Sequence, residues 1–89
     1  MIIISYDIED DKVRRHFAKM LTENGAVRLQ YSVYEVVNTQ RIIDNIKSKI
    51  EVFAKQFTMD DSVVIFSVSD RSVVKYGNSI HRDQDVVFL

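Results

Sequence analysis

The chain has 89 residues with a net charge of −1, and it contains neither cysteine nor proline. A chain this short is one domain, residues 1–89, that buries roughly 60–65% of the surface its unfolded form exposes. Without cysteine, disulfides and thiolate metal centres are excluded, so good packing or self-association must supply stability. The near-neutral charge and a pI of about 6.1 exclude a surface that is basic throughout, while leaving room for local basic patches. The sequence shows no long uncharged apolar run and no basic-apolar-small leader pattern, so it reads as cytoplasmic with no membrane partner.

Taken in order, Ile2, Ile3, Ile4 and Tyr6 make a short β-branched run, the pattern of a strand covered on both faces, and it ends on the carboxylate Asp7. Asp10 is placed to cap a helix over 10–24 whose apolar face is Val13, Phe17, Met20 and Leu21, with Arg14, Arg15 and Lys19 pointing elsewhere. Asn24-Gly25 ends it, Gly25 being the natural left-handed residue after a helix. From 26 to 37 the pattern alternates, Val27, Leu29, Tyr31 and Val33 against Arg28, Gln30, Ser32 and Tyr34. Whether this is one bent strand or two is left open, because no glycine-containing turn marks a break.

A second helix is expected over 39–57, with Ile42, Ile43, Ile46, Ile50, Phe53 and Phe57 on a wide apolar stripe. Asp60-Asp61 turns the chain into a strand at 62–68 that is again apolar on both faces, and a further strand is expected at 73–76. Two helices cover only one face of such a sheet, so the other face is expected to meet a second copy of the chain. The polar spacer 81–85 followed by Val86, Val87, Phe88 and Leu89 suggests a terminal strand that adds to a sheet, its own or a partner's.

A carboxylate at the exit of a buried strand suits chemistry, since the strand fixes the backbone while the side chain is free, and Asp7 is therefore a candidate site residue; the alternative is that it caps the next helix or solvates the strand end. Arg14, Arg15 and Lys19 have two readings: a phosphate-binding patch, or a solvated face partly paired with Glu9, Asp10 and Asp11. Arg28 shares a strand face with Ser32 and Tyr34, where it contacts phosphate or makes a salt bridge within a dimer. Tyr6 and Tyr34 read as core or interface aromatics first and as base-stacking platforms second. His16 and His81 have no metal-ligand spacing, and no glycine-rich phosphate loop is present.

Tyr6-Asp7-Ile8 followed by Asp10-Asp11, and then Arg28-Leu29-Gln30-Tyr31-Ser32-Val33-Tyr34-Glu35, resemble the small CRISPR-associated adaptation protein family. That family is the dimeric partner of the CRISPR integrase and is also described as metal-dependent endoribonucleases or DNases. The resemblance covers the whole chain. It implies an α+β, ferredoxin-like sandwich, βαββαβ plus a C-terminal strand, forming a homodimer through the sheet faces with residues 84–89 docked on the partner subunit. It further implies a scaffold that binds duplex DNA, and single-stranded RNA in some members, during spacer acquisition with the integrase. Mg²⁺ or another divalent metal would sit between two copies of Asp7, the catalytic and metal-binding residue. Nucleic acid would be contacted by Arg14, Arg15, Lys19, Arg28, Ser32 and Tyr34, with Tyr6 in support. Two positions after Arg14, where the family commonly has a basic residue, this chain has His16. The alternative reading is a metal-dependent ribonuclease of a related toxin-antitoxin system.

Overall fold

The computed structural model describes residues 1–77. The order is β1 (Ile2–Asp7), α1 (Asp11–Glu23), β2 (Val27–Gln30), β3 (Val33–Val36), α2 (Gln40–Ala54) and β4 (Ser62–Ser67), followed by a single 3-10 turn at Asp70–Ser72. The strands form one antiparallel sheet in the order β2-β3-β1-β4, compatible with the ferredoxin-like arrangement. Among the described residues no helix is long and apolar enough to cross a membrane.

The local signals explain the elements. The Asp10 carboxylate accepts a hydrogen bond from the Val13 N–H at 3.0 Å, capping α1, and Thr39 caps α2 through the Ile42 N–H at 3.4 Å. Gly25, at φ +96°, takes the left-handed conformation that lets the chain leave α1 for β2. α2 ends at Ala54, three residues before the expected 57, where Gln56 and Phe57 bond back to Phe53 and Ala54 in tight turns. Phe53 and Phe57 still pack on the core, so the apolar stripe outlasts the helix that begins it.

The segment 26–37 is two strands joined by a turn at Tyr31-Ser32. Arg28 opposes Tyr34 and Gln30 opposes Val33, so Leu29 is an extra residue in the ladder, a bulge. The expected alternation is therefore broken: Leu29 is buried while Tyr31, assigned to the same face, is 78% exposed. The expected strand at 73–76 is not part of the sheet among the described residues. Instead the chain leaves edge strand β4, and the Lys75 ammonium reaches Glu35 of β3 at 2.7 Å. The expected docking strand at 84–89 lies outside the described residues.

β1 is hydrogen-bonded on both sides, and alternation sends its residues to opposite faces. Ile2, Ile4 and Tyr6 enter a core shared with Phe17, Met20 and Leu21 of α1 and Ile43, Ile46 and Ile50 of α2. Both helices thus cover one face. On the other face Ile3 pairs with Phe66 and Ser5 with Val64; Phe66 is 51% and Val64 48% exposed. The strands apolar on both faces thus leave Val64 and Phe66 half-exposed in the single chain, while on the same face Lys75 lies over Glu35, the β3 partner of Ile3.

Phe17 is the hub of the core. It is fully buried and meets Tyr6 edge-on at 4.9 Å and Phe53 at 5.3 Å between ring centroids. Phe17→Ala is expected to lower stability by about 3–5 kcal/mol, read from the midpoint of urea unfolding.

Candidate nucleic-acid interface

The corner between β1 and α1 is fixed from two sides. Arg14 Nη1 donates to the Ile8 carbonyl at 3.0 Å and to the Glu9 carbonyl at 3.2 Å, and Nη2 pairs with Asp11. From the opposite side the Asp61 carboxylate accepts from the Glu9 N–H and the Thr58 N–H, both at 2.9 Å. These backbone bonds hold the Asp61 carboxyl below the usual aspartate range, and the hydrogen bond that Arg14 donates to Asp11 holds its guanidinium above the usual arginine range. Local pairing of the basic helix, one of the two readings of that charge run, is thus realised at Arg14.

Beside this corner a cleft of about 330 Å³ opens between α1 and the β2–β3 hairpin. Its floor is Tyr6 and Tyr34, its α1 wall is Asp11, Arg14, Arg15 and Ala18, and its hairpin wall is Arg28 and Tyr31. The register explains the meeting. The pairing of Arg28 with Tyr34 puts both on the helix-covered side of the sheet, at its edge. The Arg28 guanidinium lies over the Tyr31 ring, 4.6 Å from its centroid, a cation–π contact.

Of the residues singled out from the sequence, Tyr6, Arg14, Arg15, Arg28 and Tyr34 come together in this cleft, and Asp7, Lys19 and Ser32 do not line it. Tyr6 and Tyr34 are 6% and 2% exposed, with ring centroids 6.0 Å apart, and act as core aromatics. Ser32 sits in the hairpin turn, where its carbonyl accepts from the Tyr6 N–H at 3.1 Å. Lys19 is exposed one helical turn beyond Arg15. Arg15, not His16, lines the cleft, so the one-residue offset still brings a cation to it. Tyr31 and Asp11 line the cleft without having been singled out. Alternation had assigned Tyr31 to a face with Val27 and Leu29, and only the turn and the bulge turn it outward.

Asp7 is exposed and shares the helix-free face of the sheet with Ile3 and Ser5, opposite Ser62 of β4. Its neighbourhood is acidic. A hydrogen bond with Asp60 pushes the Glu9 carboxyl up, and the charges of Asp60, Asp61 and Asp7 add to the effect. Among the described residues no three His, Cys, Asp or Glu side chains are grouped to hold a metal ion. The described residues of one chain therefore do not make up a complete Mg²⁺ site, which needs several hard oxygen ligands.

Residues 1–76 match the family described as CRISPR associated protein Cas2. The chain belongs to that family. Among solved structures, the crystal structure of a hypothetical protein, TT1823, from Thermus thermophilus is similar over 76% of this chain and 79% of that one, with 26% identity and a TM-score of 0.61. No curated protein matches the chain. The Cas2 family match covers the sheet, both helices and every residue of the cleft.

Burial, followed by the charge and hydrogen bond of Tyr34, pushes the Tyr6 hydroxyl up to about 12. The folded state then holds a proton that the unfolded chain, with an ordinary tyrosine value near 10, gives up first. This contribution to stability is complete below about pH 10 and is lost as pH rises toward 12. Tyr6→Phe is expected to flatten the fall in stability between those pH values, checked by urea unfolding at each pH.

Proposed function

We propose that this Cas2 family chain works as a homodimeric scaffold that binds duplex DNA during CRISPR spacer acquisition, in partnership with the CRISPR integrase. The observation that carries the reading is the cleft, where Arg15 from α1 and Arg28 from β2 converge on one opening. Phosphate contacts of this kind orient a protein on a duplex and release counterions without reading sequence. Arg14 holds the corner that presents them, and Lys19 extends the positive strip along α1. Ser32 and the aromatics Tyr6 and Tyr34 shape the floor and the adjoining turn.

Two copies pair through the helix-free sheet faces, which covers Ile3, Val64 and Phe66 and doubles the basic surface available to one duplex. In that pairing the two Asp7 side chains are on the surfaces that meet, and a divalent metal would draw on both. Metal-dependent hydrolysis of RNA or DNA then depends on the dimer, with Asp7 as the residue that carries it. Family membership favours this CRISPR reading over the toxin-type ribonuclease.

The test is duplex binding by fluorescence anisotropy over a range of salt. The expected result is a linear fall of log K with log salt, its slope reduced by about 0.9 for each phosphate contact removed in Arg15→Ala or Arg28→Ala. Asp7→Ala is expected to leave duplex affinity unchanged within two-fold while abolishing Mg²⁺-dependent cleavage. Binding that ignores salt, or that survives loss of both arginines, contradicts the reading.

A further inference from the structure

The cleft contains an aromatic residue that duplex binding does not use. Tyr31 projects from the β2–β3 turn with 78% of its surface exposed, whereas Tyr6 and Tyr34 beside it are buried. Against one face of the Tyr31 ring lies the Arg28 guanidinium, 4.6 Å from the centroid. That contact orients the ring, and the exposure leaves an aromatic surface available to solvent. Arg15 lines the same opening and makes no ion pair with any other described residue. An aromatic face beside two cations is the combination that holds unpaired nucleotides, with bases stacking on the ring and phosphates lying on the charges.

A base inside an intact duplex is stacked on its neighbours and does not offer its face to a side chain. The stacking surface of Tyr31 is therefore superfluous for duplex and useful for a single strand. We propose that Tyr31 is a base-stacking platform, and that the cleft between α1 and the hairpin receives an unpaired nucleotide, its base on Tyr31 and its phosphate on Arg28 and Arg15. This rests on the reading of the cleft as a nucleic-acid interface and adds a second ligand, an unpaired strand, to the duplex whose phosphates the two arginines contact. It also makes Arg28 a residue with two tasks, ordering the ring and contacting phosphate.

The experiment measures the affinity of the full chain for a single-stranded 12-mer, the same 12-mer with abasic sites, and the matching blunt duplex. Wild type is compared with Tyr31→Ala and Tyr31→Phe; the exposure of Tyr31 lets both fold, which circular dichroism verifies. Tyr31→Ala is expected to weaken binding of the normal single strand roughly ten-fold. Tyr31→Phe retains the ring and the affinity. The abasic strand, with its phosphates intact, and the duplex bind wild type and Tyr31→Ala within two-fold of each other. If Tyr31→Ala binds the normal strand as wild type does, or loses abasic strand and duplex equally, the platform is overturned while the interface stands. If wild type binds neither strand nor duplex, the underlying reading of the cleft fails with it.

Discussion

The structure depends on the two-sided hydrogen bonding of β1 at the centre of its sheet. Because β3 and β4 both pair with it, its backbone has no freedom, and each side chain is committed to one face or the other. Ile2, Ile4 and Tyr6 are committed to the helices and to Phe17; Ile3, Ser5 and Asp7 are committed to the open side. A one-residue slip would exchange the two sets, bringing Asp7 into the core, where an unpaired carboxylate is costly. The same constraint that builds the core therefore delivers Asp7 to the apolar face that is free for a second copy.

Consecutive residues at the end of β1 serve opposite sides of the molecule. Tyr6 forms the floor of the basic cleft, while Asp7 belongs to an acidic surface with Glu9, Asp60 and Asp61. The corner after them must be stiff for the separation to hold. Arg14 binds two backbone carbonyls and Asp61 two backbone N–H groups, so the loop is gripped by a cation and an anion at once. Arg14 gives two of its hydrogen bonds to backbone carbonyls and one to the solvent-exposed Asp11 carboxylate, a pairing that water screens. Arg14 thus acts chiefly on the corner, and the cations directed to the opening of the cleft are Arg15 and Arg28.

Local chemistry made much of this legible in the sequence. The cap at Asp10, the stop at Gly25 and the apolar spacing of both helices depend on neighbours within four residues, and they hold in the structure. The half-exposed apolar face was likewise readable from strands that are apolar on both sides. The hairpin was not, because Tyr31-Ser32 has no glycine or asparagine to announce a turn and the bulge at Leu29 shifts the period. Hence alternation places Tyr31 on one face with Val27, Leu29 and Val33, whereas it is 78% exposed in the cleft wall. Residues 73–76 carry β-forming side chains, yet the contact that places Lys75 is with Glu35, 40 positions earlier, and no local pattern encodes it. The separation of Asp7 from the arginines is a matter of which face each occupies, and a motif quoted in one line of sequence does not distinguish faces.

The central claim is that the face carrying Ile3, Val64 and Phe66 is where two copies meet, setting Asp7 against Asp7 and doubling the basic surface. Its most direct test is the mass in solution, by light scattering, of wild type, Phe66→Asp and Val52→Asp, the last an exposed apolar residue on α2 that serves as control. The account predicts wild type and Val52→Asp at twice the chain mass of 10.4 kDa and Phe66→Asp at the single-chain mass. A monomeric wild type, or a Phe66→Asp protein still at the dimer mass, would contradict it.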